Sequence, residues 1–166
     1  LLQGLNQIPH IQKIRFHTRF PIGIPERIDA ELLSILSCLD KQVIFVIHSN
    51  HPKELDDAIF TALKRIQKLG IPLLCQTVLL RQINDGLEVL ADLFTILSNH
   101  GILPYYLHQL DRVEGTQHFE ASIEKGRELI KQLSARLPGY CIPKYVQEIP
   151  NRPNKTSIDL HSFQCL

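Results

Sequence analysis

The chain has 166 residues and a mass of 19.0 kDa, enough for one domain with a buried core and too few for two full ones. Lys and Arg number 18 against 17 Asp and Glu, a net charge of +1 with no basic tract, so neither nucleic acid nor a membrane surface is an expected partner. No apolar run nears the ~20 residues of a bilayer span, residues 1–12 lack the basic-then-apolar layout of a secretory leader, and a cytoplasmic location is expected.

Residues 13–20 alternate Ile14, Phe16 and Phe20 with Arg15, His17 and Arg19, as a strand with one apolar face does. A helix is expected over residues 26–39, where Ile28, Leu32, Ile35, Leu36 and Leu39 share a face. Residues 42–48 hold the unbroken run Val43-Ile44-Phe45-Val46-Ile47, which suits a parallel strand covered on both sides. The helical period returns over residues 54–69, stopped by Gly70, and over 87–98, ahead of Gly101. Residues 72–80, 104–110 and 141–149 are the remaining strand candidates. Ser122 caps a further helix through Ile130 and Leu133 to Leu137, and Pro138-Gly139 ends it. Strand starts recur at the length of a strand plus its crossover helix, a serial βα repeat that either closes toward a barrel or opens into a doubly wound sheet.

In both architectures chemistry sits past the carboxyl ends of the strands. That rule selects His48, Ser49, Asn50 and His51 after the second strand, Gln76 at the third, His108 and Asp111 at the fourth, and Glu148 with the loop to Lys155 at the last. His48 and His51 have a metal-ligand spacing, and with Asp111 they would make a metal-assisted barrel hydrolase. The competing reading is two hydrogen-bonding groups beside a helix start capped by Ser49 or Asn50 ahead of Pro52. Asp111 either projects into a pocket mouth or belongs to the turn before Gly115. Glu148 needs a cationic partner if it faces inward. Lys155 lies in a turn-rich loop, where a lysine is ordinarily solvated, yet a barrel-mouth loop also suits Schiff-base chemistry. Cys38, Cys75, Cys141 and Cys165 are too scattered for a zinc or iron–sulfur site and are expected to be small buried hydrophobes. Met is absent, so the chain is expected to be a processed product or a piece of something longer.

The run from Tyr105-Tyr106-Leu107-His108-Gln109-Leu110-Asp111 to Gly115-Thr116-Gln117-His118-Phe119 resembles the lysine 2,3-aminomutase family of radical S-adenosylmethionine enzymes. The resemblance continues through Arg15-Phe16-His17-Thr18-Arg19, His48-Ser49-Asn50-His51-Pro52, Gln76 to Asp85, Leu137-Pro138-Gly139-Tyr140 and Lys155-Thr156. It covers nearly the whole chain in family order. The His108-Gln109-Leu110-Asp111 variant is most similar to the branch that makes β-lysine for translation elongation factor P.

The resemblance implies the carboxy-terminal half of a partial (β/α) TIM-like barrel of the radical S-adenosylmethionine type, residues 1–166 forming one unit with the cofactor lysine near 150–160. It implies Lys155 as the lysine that holds pyridoxal phosphate as an internal aldimine. Asp111 and Glu148 are implied to receive the side-chain ammonium of the substrate, L-lysine, and His48 and Gln76 to lie near S-adenosylmethionine. Three positions depart from the family: Glu148 where Asp is typical, Gln82 where Gly is common, and Ser157 where Pro is usual. The three-cysteine loop for a [4Fe-4S] cluster is not in this sequence, so the cluster and the amino-terminal half are expected elsewhere. The chain alone is then expected to be inactive, while the complete enzyme is an isomerase with a functional link to elongation factor P, a homo-oligomer being one assembly open to it. A third reading is an inactive piece whose open sheet edge makes it an interaction module.

Overall fold

The computed structural model describes residues 1–158; Cys165 lies outside them. Six strands form one sheet in the order of the sequence: β1 (Lys13–Thr18), β2 (Gln42–His48), β3 (Leu73–Leu79), β4 (Ile102–Gln109), β5 (Lys144–Gln147) and β6 (Thr156–Ser157). β1 to β5 are mutually parallel, and β6 returns antiparallel to β5. A doubly wound sheet reverses its strand order partway across. This one never does, so it curls in one sense as an open half-barrel, and the ambiguity left by periodicity is settled in favour of the barrel-like form.

Helices connect the strands: α1 (Leu2–Asn6) before β1, α2 (Phe20–Gly23) and α3 (Ala30–Ser37) before β2, then α4 (Asp57–Gln67), α5 (Leu87–Asn99) and α6 (Ile123–Arg136) in the next three crossovers. The apolar stripes of α4 (Ile59, Leu63, Ile66), α5 (Leu90, Phe94, Leu97) and α6 (Leu129, Ile130, Leu133) join Val43, Phe45, Ile47, Leu73, Cys75, Leu107 and Tyr145 in one core. Each such side chain taken from water contributes roughly 1.5–3 kcal/mol. These strand residues alternate along their strands, so Ile44, Val46, His48, Gln76, Tyr106, His108 and Val146 look the other way, onto the concave face.

Several element boundaries differ from the sequence expectation, each for a local reason. The expected helix over 26–39 splits: Pro25–Arg27 is a single 3-10 turn, and α3 starts only where the Asp29 carboxylate accepts the Leu32 N–H at 2.8 Å. The helix expected from residue 54 begins three residues later, capped by Asp56, whose carboxylate accepts the Ile59 N–H at 2.9 Å. Ser49 and Asn50 therefore cap nothing. The last parallel strand is only four residues long: Cys141 ends a 3-10 turn instead of opening the strand, and after Gln147 the chain turns back toward β6. Cys75 and Cys141 are buried as expected, whereas Cys38 is exposed at the end of α3.

Gln82, expected from the resemblance to replace a Gly, adopts φ 64°, a left-handed conformation that favours Gly, in the turn after β3. Its N–H is taken up by the Asp85 carboxylate at 2.8 Å. Gly126 has a different reason to be glycine. It sits on the buried side of α6 directly against the Tyr145 ring, with no room for a Cβ.

Candidate active site

The polar residues of the concave face gather at the carboxyl end of the sheet. Strand register brings them together: His48 of β2 lies opposite Gln76 of β3, Gln76 opposite Tyr106 of β4, and His108 opposite Val146 of β5. The His17 and His48 rings meet edge-on with centroids 6.2 Å apart, and Tyr106 meets His108 similarly at 5.6 Å. The extra residue in β4 opposite Cys75 and Gln76 is a bulge, which re-aims the strand just before its site residues.

Lys155 reaches this face through β6. The pairs Val146 with Ser157 and Gln147 with Thr156 fold residues 148–155 back as a hairpin, turned at Asn151 with φ 65°. The next step of the ladder places Glu148 beside Lys155, and the Lys155 ammonium donates to a Glu148 carboxylate oxygen. The same ammonium stands 5.9 Å from the centre of the Tyr106 ring. The hydrogen bond from Lys155, then its charge, hold the Glu148 carboxyl below its ordinary value.

Burial pushes the His108 imidazole down to about 4, with the positive charge of Lys155 acting in the same direction. His48 is lowered by burial, then by Arg19 and Lys155, and His17 by burial, then by Arg15, His48 and Lys155. One cation thus acts on three histidines from three strands, which identifies a single electrostatic neighbourhood. His108 Nε2 is buried with no hydrogen-bond partner among the described residues. Such an atom ordinarily costs about 1–3 kcal/mol.

The loops that frame the face are held by Glu54 and Asn84, which position in the sequence does not single out, acting on Ser49 and Asn50, which it does. Glu54 accepts from the Ser49 hydroxyl at 2.9 Å and the Asn50 N–H at 2.7 Å, and pairs with Arg19 at 2.5 Å. Asn84 is fully buried: its Oδ1 accepts the Leu80 N–H at 2.7 Å, and its amide donates to Asn50 O at 2.7 Å and Val78 O at 2.8 Å. Asn50 Oδ1 in turn accepts the Val78 N–H at 2.9 Å. These residues bind the loop after β2 to the loop after β3. Their only sequence signal was a polar residue at a strand end, which looks the same for scaffold and for site.

Among the candidates, His48, Gln76, Glu148 and Lys155 share the face, and Glu148 has the cationic partner it required. Asp111 is exposed in the loop after β4, and no hydrogen bond or ion pair joins it to Lys155. The metal-hydrolase alternative is not supported. His51 Nδ1 accepts the Lys53 N–H at 3.1 Å, and among the described residues no three His, Cys, Asp or Glu group as metal ligands. No helix among those residues is long and apolar enough to cross a membrane.

No protein-family model matches the chain. Three relatives named L-lysine 2,3-aminomutase match almost all of it: that of Escherichia coli at 41% identity over 99% of this chain and 48% of the relative, that of Haemophilus influenzae at 41% over 94% and 46%, and that of Clostridium subterminale at 34% over 95% and 38%. The chain spans somewhat less than half the length of these relatives. An aminomutase is an isomerase, and over nearly its whole length the chain is similar to part of the relatives that carry the name L-lysine 2,3-aminomutase.

Proposed function

We propose that this chain is the carboxy-terminal half of an enzyme that converts L-lysine to β-lysine. In this reading pyridoxal phosphate is attached to Lys155, S-adenosylmethionine lies beside His48 and Gln76, and Glu148 with Asp111 receives the substrate's side-chain ammonium. The observation that carries it is the meeting of Lys155, Glu148 and a histidine-lined concave face at the carboxyl ends of parallel strands, in a chain whose relatives bear that name.

Pyridoxal phosphate fits the residues present. Lys155 supplies a primary amine at the barrel mouth, Tyr106 a flat aromatic neighbour, and His108 a buried nitrogen still lacking a partner among the described residues. Pyridoxal phosphate and S-adenosylmethionine together would supply the electron-delocalising ring and the hydrogen-abstracting radical of the amino shift. The protein's part is positioning. Lys155 fixes one end of the site, Glu148 offers a carboxylate to an ammonium, and buried Gln76 offers an amide beside His48. Glu148 for the family's typical Asp lengthens the acidic arm by one methylene and keeps its charge.

An iron–sulfur cluster does not fit the described residues. Burial pushes the Cys75 thiol up to about 12, Cys141 is buried, and Cys38 is exposed at the far end of α3. The proposed cluster ligands therefore belong to the other half of the enzyme. The His108-Gln109-Leu110-Asp111 variant supports elongation factor P as the destination of the β-lysine.

The test is borohydride reduction of the full-length polypeptide loaded with pyridoxal phosphate, followed by peptide mass mapping. A pyridoxyl mark on Lys155 that Lys155→Ala abolishes is the expected result. A mark on any other lysine overturns the assignment.

A further inference from the structure

We propose that His108 is a ligand-contacting residue of this site, hydrogen-bonding through Nε2 to the group held on Lys155. The inference rests on the reading of Lys155 given above. It starts from one atom on the concave face. The backbone beside it is bonded, the Gln76 carbonyl accepting the Ser49 N–H at 3.2 Å and the Thr77 hydroxyl donating to Ser49 O at 2.8 Å. His108 is placed with the same care, its ring set edge-on to Tyr106, but its Nε2 is buried without a partner among the described residues. A buried polar atom left open on the face that carries Lys155 needs an explanation, and a ligand supplies one.

The charges around the ring give its chemical character. Lys155, Glu148 and His48 are the charged or titratable groups that act on it, with the Tyr106 phenol ring as its edge neighbour. Burial and Lys155 keep the imidazole uncharged at neutral pH. A cation here would oppose both Lys155 and an incoming ammonium; an uncharged ring opposes neither. A neutral imidazole carries one donor and one acceptor nitrogen, so it can fix the orientation of an aromatic ring bearing oxygen or nitrogen atoms while leaving the local charge unchanged. Leu107 and Gln109, its neighbours in β4, face the core, so His108 and Tyr106 alone among these four residues are presented to the ligand.

The experiment uses the full-length polypeptide and two readouts: the dissociation constant of pyridoxal phosphate from visible absorbance, and the melting temperature of the ligand-free protein. His108→Phe keeps the ring and removes the nitrogens. Its affinity is expected to fall by about tenfold, while the ligand-free melting temperature holds or rises by about 2–4 °C, because an unpartnered buried nitrogen has gone. His108→Gln, whose amide reaches the Nε2 position, is expected to stay within about threefold of the parent affinity. A His108→Phe protein that binds pyridoxal phosphate as the parent does overturns the proposal. So does one whose ligand-free form melts lower and whose affinity His108→Gln fails to restore, since that is the behaviour of a structural residue. Lys155→Ala separates the two readings: covalent attachment that survives it removes the basis of both, whereas attachment lost in Lys155→Ala with a silent His108→Phe removes only the role of His108.

Discussion

Replacing Gly126 by Ala sets two known effects against each other. In the interior of a helix such as α6, Ala is preferred to Gly by about 1 kcal/mol, so an open position would be stabilised. At Gly126 the new methyl group would fall inside the Tyr145 ring, far closer than any real contact. Tyr145 cannot step aside freely, because its hydroxyl donates to Gln109, whose amide donates to Ala121 O at 2.7 Å. Overpacking of this kind costs about 1–3 kcal/mol, and here it acts against a constrained ring, at the upper end of that range. The expected net loss is about 1–2 kcal/mol, a fall in melting temperature of roughly 2–8 °C for a domain of this size. Thermal melts followed by circular dichroism read it directly. Tyr145→Leu in the same background should recover part of the loss, because the two residues are in contact and their effects are not additive. Gly126→Ala that melts at or above the parent temperature would show that helix propensity wins, and the close seating of α6 on β5 would have to be abandoned.

Asn84→Ala should destabilise the chain by about 2–4 kcal/mol, since it strands the Leu80 N–H and the Asn50 and Val78 carbonyls in a buried site; a change within 0.5 kcal/mol in urea unfolding, about the level of a surface substitution, would contradict the network. Stability should also fall on mild acidification. His108 has a folded value of about 4 against 6.5, so as pH drops the unfolded chain takes up the proton first. Its contribution is complete above the unfolded value and is lost as pH falls toward 4. The shift corresponds to about 3 kcal/mol at most, cut to about 1–2 by the ring's partial solvent access. His17 and His48, lowered as well, add the same sign below 6.5. His108→Phe should flatten the plot of melting temperature against pH over that window, and an unchanged slope would refute the assignment. Glu148, with its value depressed by Lys155, also stabilises above its unfolded value and loses that contribution at lower pH than the histidines.

The strongly periodic elements were legible in the sequence: β2 lies at residues 42–48 as expected, because five consecutive apolar residues leave few alternatives to a strand covered on both faces. Boundaries set by single side chains were harder. Asp29 and Asp56 are ordinary acids in the sequence and become helix starts only once the backbone turns under them. β6 was illegible for another reason. Two residues carry no period, and Thr156 and Ser157 are a strand solely because β5 offers them an edge. In the site, register and burial were the missing quantities. His108 was marked by its place at a strand end, but nothing in the sequence distinguishes its unpartnered nitrogen from the bonded one of His51.

Strand order has a kinetic meaning as well as a geometric one. Neighbours in this sheet are neighbours in sequence, as in the pairs Ile14 with Val43, Phe45 with Leu73 and Leu73 with Ile102. Each new strand is added by closing a loop of roughly 30 residues whose entropy cost barely changes from one step to the next. No pairing waits for the two ends of the chain to find each other, so the contact order stays low for a parallel sheet and the units can condense one after another. The longest closure is the one joining Leu107 to Tyr145. It delivers the strand that leads into Glu148 and back to Lys155, so the rim that carries this pair rests on the closure with the largest entropy cost of the series, by a small margin.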